Sequence, residues 1–227
     1  MASPLPAIKP GLIDAAYFRS VVGIDAKVIV EIGANNGGHT GDFLKMFPSA
    51  KIYCFEPDKR AAAKFRAKIN DPRVTLFELA IGAEDGETEF HVSSGLPPNS
   101  PEAQKLYPQG WDQSGSIRPP KTHTKVWPWV TFEQKTRVRV QRLDTWAKTH
   151  GIEKIDLIWA DVQGAESDLI LGALNTLKST RVFYTEYSND EWYEGQASLT
   201  QLVDMLPDFE LTDRFSMDVL FKNKGCR

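Results

Sequence analysis

The chain has 227 residues, 41% of them hydrophobic and 25% charged, which is ordinary for a globular protein and suits one domain over residues 1–227. Its net charge of -3 lacks the excess of Lys and Arg that duplex nucleic acid requires, so we predict no nucleic-acid partner. No apolar run approaches the roughly 18 residues that span a bilayer, and the N-terminal residues lack a signal-peptide pattern. We therefore predict a cytoplasmic protein without stable membrane insertion.

Strands and helices alternate along the chain. In the first third we predict a short helix at residues 12–22, strands at Val28–Ile32, Lys51–Phe55 and Val74–Gly82, and helices at Gly38–Phe47 and Asp58–Asn70. The last third has strands at Ile155–Asp161 and Arg181–Tyr187, helices at Ala165–Lys178 and Leu199–Leu206, and two closing strands at Phe209–Thr212 and Asp218–Asn223. This order predicts an α/β fold with a doubly wound, mostly parallel sheet, into which the closing hairpin adds an antiparallel strand.

The first strand runs directly into a glycine-rich turn, VIVEIGANNGG at Val28–Gly38. Residues without a Cβ atom, or residues that tolerate a positive φ, let the main chain approach a ligand at the carboxyl edge of a parallel sheet. The turn therefore predicts a cofactor site, and we assign to it the residues Glu31, Gly33, Asn35, Asn36 and Gly37. A glycine-rich turn without a ligand is the alternative.

Glu56 ends the second strand, 23 residues after Gly33. This spacing is close to the roughly 20 residues expected for an acid that binds the ribose hydroxyls of a nucleoside cofactor. A dinucleotide site would show the pattern GxGxxG, but Asn35 occupies the position of its second glycine. The pattern therefore favours S-adenosylmethionine, which has no phosphate, over a nicotinamide dinucleotide and an oxidoreductase.

Residues 93–135 contain seven of the fourteen prolines and three of the six tryptophans, with little periodicity. We predict a long loop that acts as a substrate lid, with a decorative insertion as the alternative. The flanking segments, Thr88–Val92 and Thr136–Gln141, alternate like a pair of edge strands and would form its stem. A basic cluster in and behind this loop either contacts an acidic acceptor or forms a solvated face; its members are Arg118, Lys121, Lys125, Arg137, Arg139 and Arg142.

The order of the segments EIGANNG, FEPD, LAIG, VRVQRLDTW and DVQGAE, followed by a strand ending in Glu186, resembles the FkbM family of S-adenosylmethionine-dependent methyltransferases. The segments WYEGQ and DVLFKN extend the resemblance to the end of the chain. It implies a class I methyltransferase fold, which is Rossmann-like, with a seven-stranded sheet whose last strand is antiparallel. It also implies O-methylation of a hydroxyl on a sugar, a polyketide or a related small or carrier-linked metabolite.

The resemblance also implies roles for single residues. Gly33, Asn35 and Gly37 match the turn around the methionine part of the cofactor, and Glu56 matches its ribose acid. Ala80 matches the position near the adenine, and Asp161 matches an acid at the reaction centre, where it contacts cofactor and serves catalysis. Two residues depart from the family pattern: Trp159 stands where a lysine is frequent, and Gln163 where a glutamate is frequent.

A hydroxyl is a poor nucleophile until its proton leaves, so we expect a general base or a divalent ion. His123, in the lid, is the candidate base, with a solvated loop histidine as the alternative. Asp161 and Glu186 end neighbouring strands and could together hold Mg²⁺, or be ordinary polar residues at strand ends. Besides the O-methyltransferase, a nicotinamide-dependent oxidoreductase and a cofactor-binding protein without catalysis remain open.

Overall fold

A computed structural model describes residues 5–10 and 15–226, which form two sheets and their covering helices. The described strands are β1 (Val28–Ile32), β2 (Lys51–Phe55), β3 (Val74–Phe77), β4 (Ala80–Ile81), β5 (Gly86–Gly95), β6 (Val130–Gln141), β7 (Ile155–Ala160), β8 (Thr180–Glu186), β9 (Phe209–Arg214) and β10 (Asp218–Asn223). The described α-helices are α1 (Ala15–Val22), α2 (Gly38–Met46), α3 (Lys59–Lys68), α4 (Pro101–Leu106), α5 (His123–Val126), α6 (Leu143–His150), α7 (Glu166–Gly172) and α8 (Leu199–Met205).

The main sheet has seven strands in the order β3-β2-β1-β7-β8-β10-β9. Neighbouring strands from β3 to β8 are parallel, whereas β10 is antiparallel to both β8 and β9. The predicted doubly wound sheet with an antiparallel last strand is thus confirmed. The strand order reverses between β1 and β7, and in a sheet of this kind ligands bind outside the carboxyl ends of the strands at that point.

Apolar helix faces cover both sides of this sheet. Helices α1, α2 and α3 pack one face with Phe18, Phe43 and Phe65, and α6, α7 and α8 pack the other in a cluster around the fully buried Trp146. The central strands β1 and β7 are buried on both faces, which is why their sequences are almost continuously apolar. The carboxyl ends of these strands are therefore held rigidly.

Three predicted elements have different bounds in the structure. The predicted strand Val74–Gly82 is wrong as a single element, because the chain turns after β3, where the Leu79 amide donates to the Phe77 carbonyl (3.0 Å). The following β4 leaves the main sheet and pairs with β6. The predicted helix Ala165–Lys178 breaks after α7, and a separate 3₁₀-helix follows at Thr176–Ser179. Of the predicted helix at 12–22, residues 15–22 are confirmed and the rest lies outside the described residues.

The 3₁₀-helix has a local cause. The Asp144 carboxylate accepts hydrogen bonds from the amides of Asn175 (3.1 Å) and Thr176 (2.8 Å), so it satisfies donors at the start of that helix and fixes a new direction. These contacts lie more than thirty residues apart in sequence, and local periodicity cannot reveal them.

The predicted insertion at 93–135 is more regular than expected. β5 and β6 extend into both of its ends as an antiparallel stem, with Thr88 opposite Val138 as predicted for the stem strands. The segment between them, residues 96–129, is called the lid below; it contains the short helices α4 and α5, so the prediction of a structureless loop is wrong. Ion pairs from Lys64 to Asp112 (2.6 Å) and from Arg118 to Asp168 (2.6 Å) join the lid to the main domain.

Candidate active site

A cavity of about 600 Å³ lies between the carboxyl ends of the central strands and the lid. Its floor includes Gly33 after β1, Glu56 after β2, Asp161 after β7 and Glu186 at the end of β8. The predicted cofactor residues Asn35, Asn36 and Ala80 also line it, as does His123 from the lid. The structure thus brings most of the predicted site residues together in one cavity at the reversal point of the sheet.

Gly33 is required by a close approach of two backbone segments. Its φ is +84°, and a Cβ atom at this position would lie 1.8 Å from the carbonyl oxygen of Asp161. The amides of Gly33 and Ala34 both donate to the Phe55 carbonyl (2.9 and 3.0 Å), which ties the turn to the end of β2. The glycine therefore sets the distance between the β1 turn and the β7 acid.

Glu56 joins two loops at the cavity wall. One carboxylate oxygen accepts from the Asn35 amide (2.8 Å) and the other from the Asp58 amide (2.7 Å), and the side chain is buried. Burial raises the pKa of Glu56 to about 8, against the opposing effect of the two N–H donors. Each oxygen keeps a further lone pair, so each can accept a hydrogen bond from a ligand hydroxyl group.

Asp161 and Glu186 form a hydrogen-bonded acid pair at the centre of the cavity. The Gln163 amide nitrogen donates to Asp161 (2.7 Å) and lies 3.4 Å from a Glu186 oxygen. The Tyr193 hydroxyl lies 3.0 Å from the Gln163 amide oxygen and 2.8 Å from the Ser114 carbonyl, and its single hydrogen is shared between these two acceptors. At position 163 an amide therefore donates to the acid pair.

The pKa of Asp161 is raised by burial, and the pKa of Glu186 is raised well above its ordinary value by burial and by the nearby Asp161 charge. Two adjacent carboxyl groups do not both ionise readily, so the pair shares one proton. The Gln163 donor favours the charge on Asp161. Of the two acids, Glu186 is therefore the one that more readily holds the shared proton.

His123 is buried and not solvated, so the alternative of a solvated loop histidine is wrong. Its ring packs against Trp127 (4.7 Å between ring centroids), Phe132 (5.3 Å) and Tyr193 (5.4 Å). Burial lowers the pKa of His123 to about 4, so the imidazole is neutral and only weakly basic at neutral pH. His123 lines the cavity, but a base of this strength is poorly matched to proton abstraction from a hydroxyl.

Two predicted cofactor residues do not line the cavity. Glu31 is fully buried beneath the turn and accepts a hydrogen bond from the Thr40 hydroxyl, so it anchors α2 to β1. Gly37 precedes α2 with a φ of +74°, and a Cβ atom there would lie 2.7 Å from Ile69. For both residues, the structure shows internal packing in place of the predicted cofactor contact.

The acid pair does not fit a magnesium site. Among the described residues, no group of three or more His, Cys, Asp and Glu side chains is placed to hold a metal ion. The donating amide of Gln163 lies against Asp161 and Glu186, where a shared cation would have to lie. An N–H donor and a cation compete for the same carboxylate lone pairs, so we assign no step to Mg²⁺.

The sequence model of the methyltransferase FkbM domain matches residues 31–215. The chain belongs to this family. The predicted class I, Rossmann-like fold and the dependence on S-adenosylmethionine are thus confirmed, and the alternative of a nicotinamide-dependent oxidoreductase is not supported. None of the described helices is long and apolar enough to cross a membrane.

Several known proteins are similar to this FkbM methyltransferase. The 2-O-methyltransferase NoeI of Sinorhizobium fredii is 46% identical over 201 residues, which is 86% of this chain and 79% of NoeI. Methyltransferase 1 of Beauveria bassiana is 24% identical over 152 residues, which is 65% of this chain and 59% of that protein. The crystal structure of precorrin-6y C5,15-methyltransferase from Geobacter metallireducens is 13% identical, with a TM-score of 0.43 over 96% of this chain and 93% of that chain.

A second cavity, of about 550 Å³, lies beside α1 and α2 on the other side of the acid pair. Trp159 lines it and stacks on Tyr184 (3.8 Å, 16° between ring planes), with Phe18 of α1 edge-on at 5.6 Å. The tryptophan of this FkbM methyltransferase therefore packs against α1.

Some residues of the site were not singled out as site residues from the sequence. Trp192 and Tyr193 line or adjoin the cavity from the WYEGQ segment, and the Tyr193 hydroxyl donates to the Ser114 carbonyl in the lid (2.8 Å). Asp112 accepts from Lys64, and its carbonyl accepts from the Asn35 side chain (2.9 Å). The only sequence feature that could have indicated these residues is the aromatic content of their segments. The residues that they contact lie far away in sequence.

Glu166, the last residue of DVQGAE, should make the stability of the protein depend on pH. Its buried carboxyl accepts from the Gly164 amide (3.1 Å), and burial raises its pKa to about 7. The unfolded chain releases this proton near pH 4.3, so the contribution of Glu166 to stability is full at lower pH and is lost as pH rises to about 7. We expect Glu166→Gln to reduce the loss of unfolding free energy between pH 5 and pH 8 by about 1–3 kcal/mol, measured by urea unfolding. An unchanged slope would contradict the buried protonated state.

Proposed function

We propose that this FkbM methyltransferase transfers the methyl group of S-adenosylmethionine to a hydroxyl of a small or carrier-linked metabolite, with Asp161 accepting the hydroxyl proton. The observation that carries the proposal is the acid pair of Asp161 and Glu186, which lies in the same cavity as the Gly33 turn and Glu56. One cavity thereby offers both a seat for the cofactor and a base beside its reactive end.

In the proposed cofactor seat, the turn at Gly33 to Asn36 holds the methionine part and Glu56 accepts the two ribose hydroxyls. The adenine lies against Ala80, where a small apolar cluster with Phe90 and Ile117 leaves a flat apolar surface. S-adenosylmethionine supplies an electrophilic methyl on a positively charged sulfur. The acid at Asp161 favours this charge, and the site needs no phosphate-binding glycine at position 35.

In the reaction, the acceptor oxygen forms a bond to the methyl carbon while the carbon–sulfur bond breaks and its electron pair stays on sulfur. The hydroxyl proton moves to Asp161, whose raised pKa makes it a stronger base than an ordinary aspartate. Glu186 and Gln163 hold Asp161 in place by hydrogen bonds. Positioning of the acceptor in line with the carbon–sulfur bond supplies further rate enhancement, on the order of 7–11 kcal/mol in well-oriented systems.

The similarity to NoeI, a 2-O-methyltransferase, supports oxygen as the atom that is methylated. We propose the same acceptor atom for this chain, on a sugar, polyketide or related metabolite. A cytoplasmic location, a carrier-linked acceptor and the absence of a nucleic-acid partner stay predictions.

The direct experiment is a screen of glycosides and polyketide alcohols with a methyl donor labelled at the transferred carbon. We expect the label on a hydroxyl oxygen of at least one acceptor, identified by mass spectrometry and NMR. Label found only on nitrogen or carbon, or no transfer to any acceptor although the donor binds, would overturn the proposed O-methylation.

The cofactor seat is tested at Glu56. We expect Glu56→Gln to weaken S-adenosylhomocysteine binding by more than about 1 kcal/mol, since a hydrogen bond to a charged group contributes about 1.5–3 kcal/mol. Because the pKa of Glu56 is raised to about 8, ribose binding to its ionised form releases a proton, and the affinity of the wild-type protein should rise from pH 6 to pH 8. Calorimetry measures both effects.

The matched control for Glu56 is Glu78→Gln, which changes a surface acid that is ion-paired with Arg66 and does not line the cavity. Its affinity for S-adenosylhomocysteine should equal that of the wild-type protein at each pH. An unchanged affinity in Glu56→Gln itself would mean that the ribose lies elsewhere.

A further inference from the structure

Among the described residues, four that line the cavity have a buried polar side-chain atom without a partner in the protein: Asn35, Asp112, His123 and Trp192. In His123 and Trp192 this atom is a ring nitrogen. The Nδ1 atom of His123 is buried without a hydrogen bond, in a side chain that is only 2% exposed. The indole nitrogen of Trp192 is likewise buried without a partner. Both side chains line the cavity. A buried polar atom without a partner lowers the stability of the fold. Two such nitrogens on one wall therefore point to a ligand that supplies the missing hydrogen bonds.

The same wall is aromatic. Trp127 and Trp192 meet nearly at right angles (4.9 Å between centroids, 81°). Both side chains line the cavity. Ring faces of this kind pack well against the C–H faces of a sugar ring, while the indole N–H binds a hydroxyl.

The charge of the cavity excludes an anionic group next to the reacting hydroxyl. No Lys or Arg side chain among residues 5–10 and 15–226 lines it, whereas four acids do: Glu56, Asp112, Asp161 and Glu186. Two basic residues of the lid form ion pairs with other acids, Arg118 with Asp168 and Lys121 with Glu191, and no member of the basic cluster lines the cavity. The alternative that this basic cluster binds a phosphate or carboxylate of the acceptor is therefore not supported.

The aromatic wall is connected to the proposed base. The His123 ring lies 5.4 Å from the Tyr193 ring, the Tyr193 hydroxyl contacts Gln163 (3.0 Å), and Gln163 donates to Asp161 (2.7 Å). A ligand held at the wall can thus present a hydroxyl to Asp161.

We propose that His123, Trp127 and Trp192 form a subsite for an uncharged sugar ring, which carries the hydroxyl that is methylated. Trp192 donates a hydrogen bond to one sugar hydroxyl, and His123 Nδ1 exchanges one with another. Trp127 packs against the apolar face of the ring. This subsite rests on the proposed O-methylation, whose acceptor it narrows from several classes of alcohol to a glycosyl group without a neighbouring phosphate.

The test uses Trp192→Phe and His123→Phe, which keep an aromatic ring and remove the ring nitrogens that would hydrogen-bond to the sugar. Binding of a panel of methyl hexopyranosides is measured by saturation-transfer NMR on protein saturated with S-adenosylhomocysteine. We expect binding of at least one glycoside, weakened about 3- to 10-fold in each variant, as for the loss of one neutral hydrogen bond. The affinity for S-adenosylhomocysteine should change less than twofold in both.

Trp129→Phe is the matched control, because Trp129 lines the same cavity but its indole nitrogen is not among the buried atoms without a partner. It should leave glycoside binding unchanged. The hexose 1-phosphates form a second arm, and we expect them to bind at least tenfold more weakly than the methyl glycosides. Glycoside affinities that are equal in wild type and both variants, or preferred binding of the phosphates, would overturn the sugar subsite.

Turnover separates this inference from the function on which it rests. Methyl transfer to a polyketide alcohol, with no glycoside bound or methylated, would overturn the subsite and leave O-methylation standing. Glycoside binding that depends on His123 and Trp192, without transfer to any hydroxyl, would support the subsite and count against the proposed reaction. A variant whose thermal unfolding shows loss of the fold is replaced by His123→Asn, which retains a polar side chain and should restore part of the glycoside affinity.

Discussion

Asp161→Asn should lower kcat by about 10²- to 10⁴-fold and change the affinity for S-adenosylhomocysteine less than threefold. Asparagine has the same shape as aspartate and can still accept the hydrogen bond from Gln163, so the network around it should persist. What it loses is the ability to take up a proton. S-adenosylhomocysteine lacks the sulfonium charge, so its binding does not depend on the Asp161 charge. Single-turnover methyl transfer and calorimetry measure the two quantities.

Glu186→Gln is the matched variant, because it neutralises the other member of the acid pair. The Gln amide can still donate a hydrogen bond to Asp161, as the protonated Glu186 does, so we expect a loss of kcat of less than about tenfold. The opposite pattern, with Glu186→Gln severe and Asp161→Asn mild, would reassign the base to Glu186. Equal, mild effects would show that neither acid abstracts the proton.

His123 illustrates the limit of assigning chemistry from a residue type. An imidazole in a lid predicted a general base, because an exposed histidine titrates near neutral pH. The pKa depends on burial by Trp127, Phe132 and Tyr193, which lie up to seventy residues away in sequence. The position of His123 at the cavity could be predicted, whereas its basicity could not.

The elements around the cofactor end of the cavity could be predicted from the sequence, because each depends on residues that are close together in the chain. β1, its glycine turn and β2 follow from a short apolar run, a cluster of residues that tolerate positive φ, and a second apolar run. The bounds of β1, β2 and β10 are confirmed to the residue. At the break after α7, contacts between segments that are distant in sequence determine the backbone conformation. Hydrophobic periodicity therefore predicted one continuous helix there, which is wrong.

The acid pair and its amide donor show a different limit. Strand order placed Asp161 and Glu186 side by side at one sheet edge, and two neighbouring acids suggested a cation. Gln163, which is held at a φ of +51°, instead donates its amide to Asp161, and the two acids form a hydrogen-bonded pair. The orientation of one side chain, that of Gln163, thus distinguishes a metal site from a pair of acids that share a proton. The spacing of residues in the sequence does not reveal this orientation.

Gly33→Ala should destabilise the fold by about 2–6 kcal/mol and remove measurable S-adenosylhomocysteine binding. A Cβ atom at this position would lie 1.8 Å from the carbonyl oxygen of Asp161, in a backbone conformation with φ of +84° that L residues rarely adopt. The strain can be relieved only by moving the turn away from β7, and that movement would also displace Asn35 and its hydrogen bond to Glu56. Urea unfolding and calorimetry measure the two losses.

Gly38→Ala is the matched control in the same turn. Gly38 is the first residue of α2, and a Cβ atom there would meet its nearest neighbour, the Asn36 side-chain oxygen, at an ordinary 3.5 Å. Alanine is favoured over glycine in a helix by about 0.5–1 kcal/mol, so this variant should be as stable as the wild-type protein or slightly more so. If Gly33→Ala behaved like Gly38→Ala in both measurements, the contact between the β1 turn and Asp161 could not be what sets the geometry of the cofactor seat.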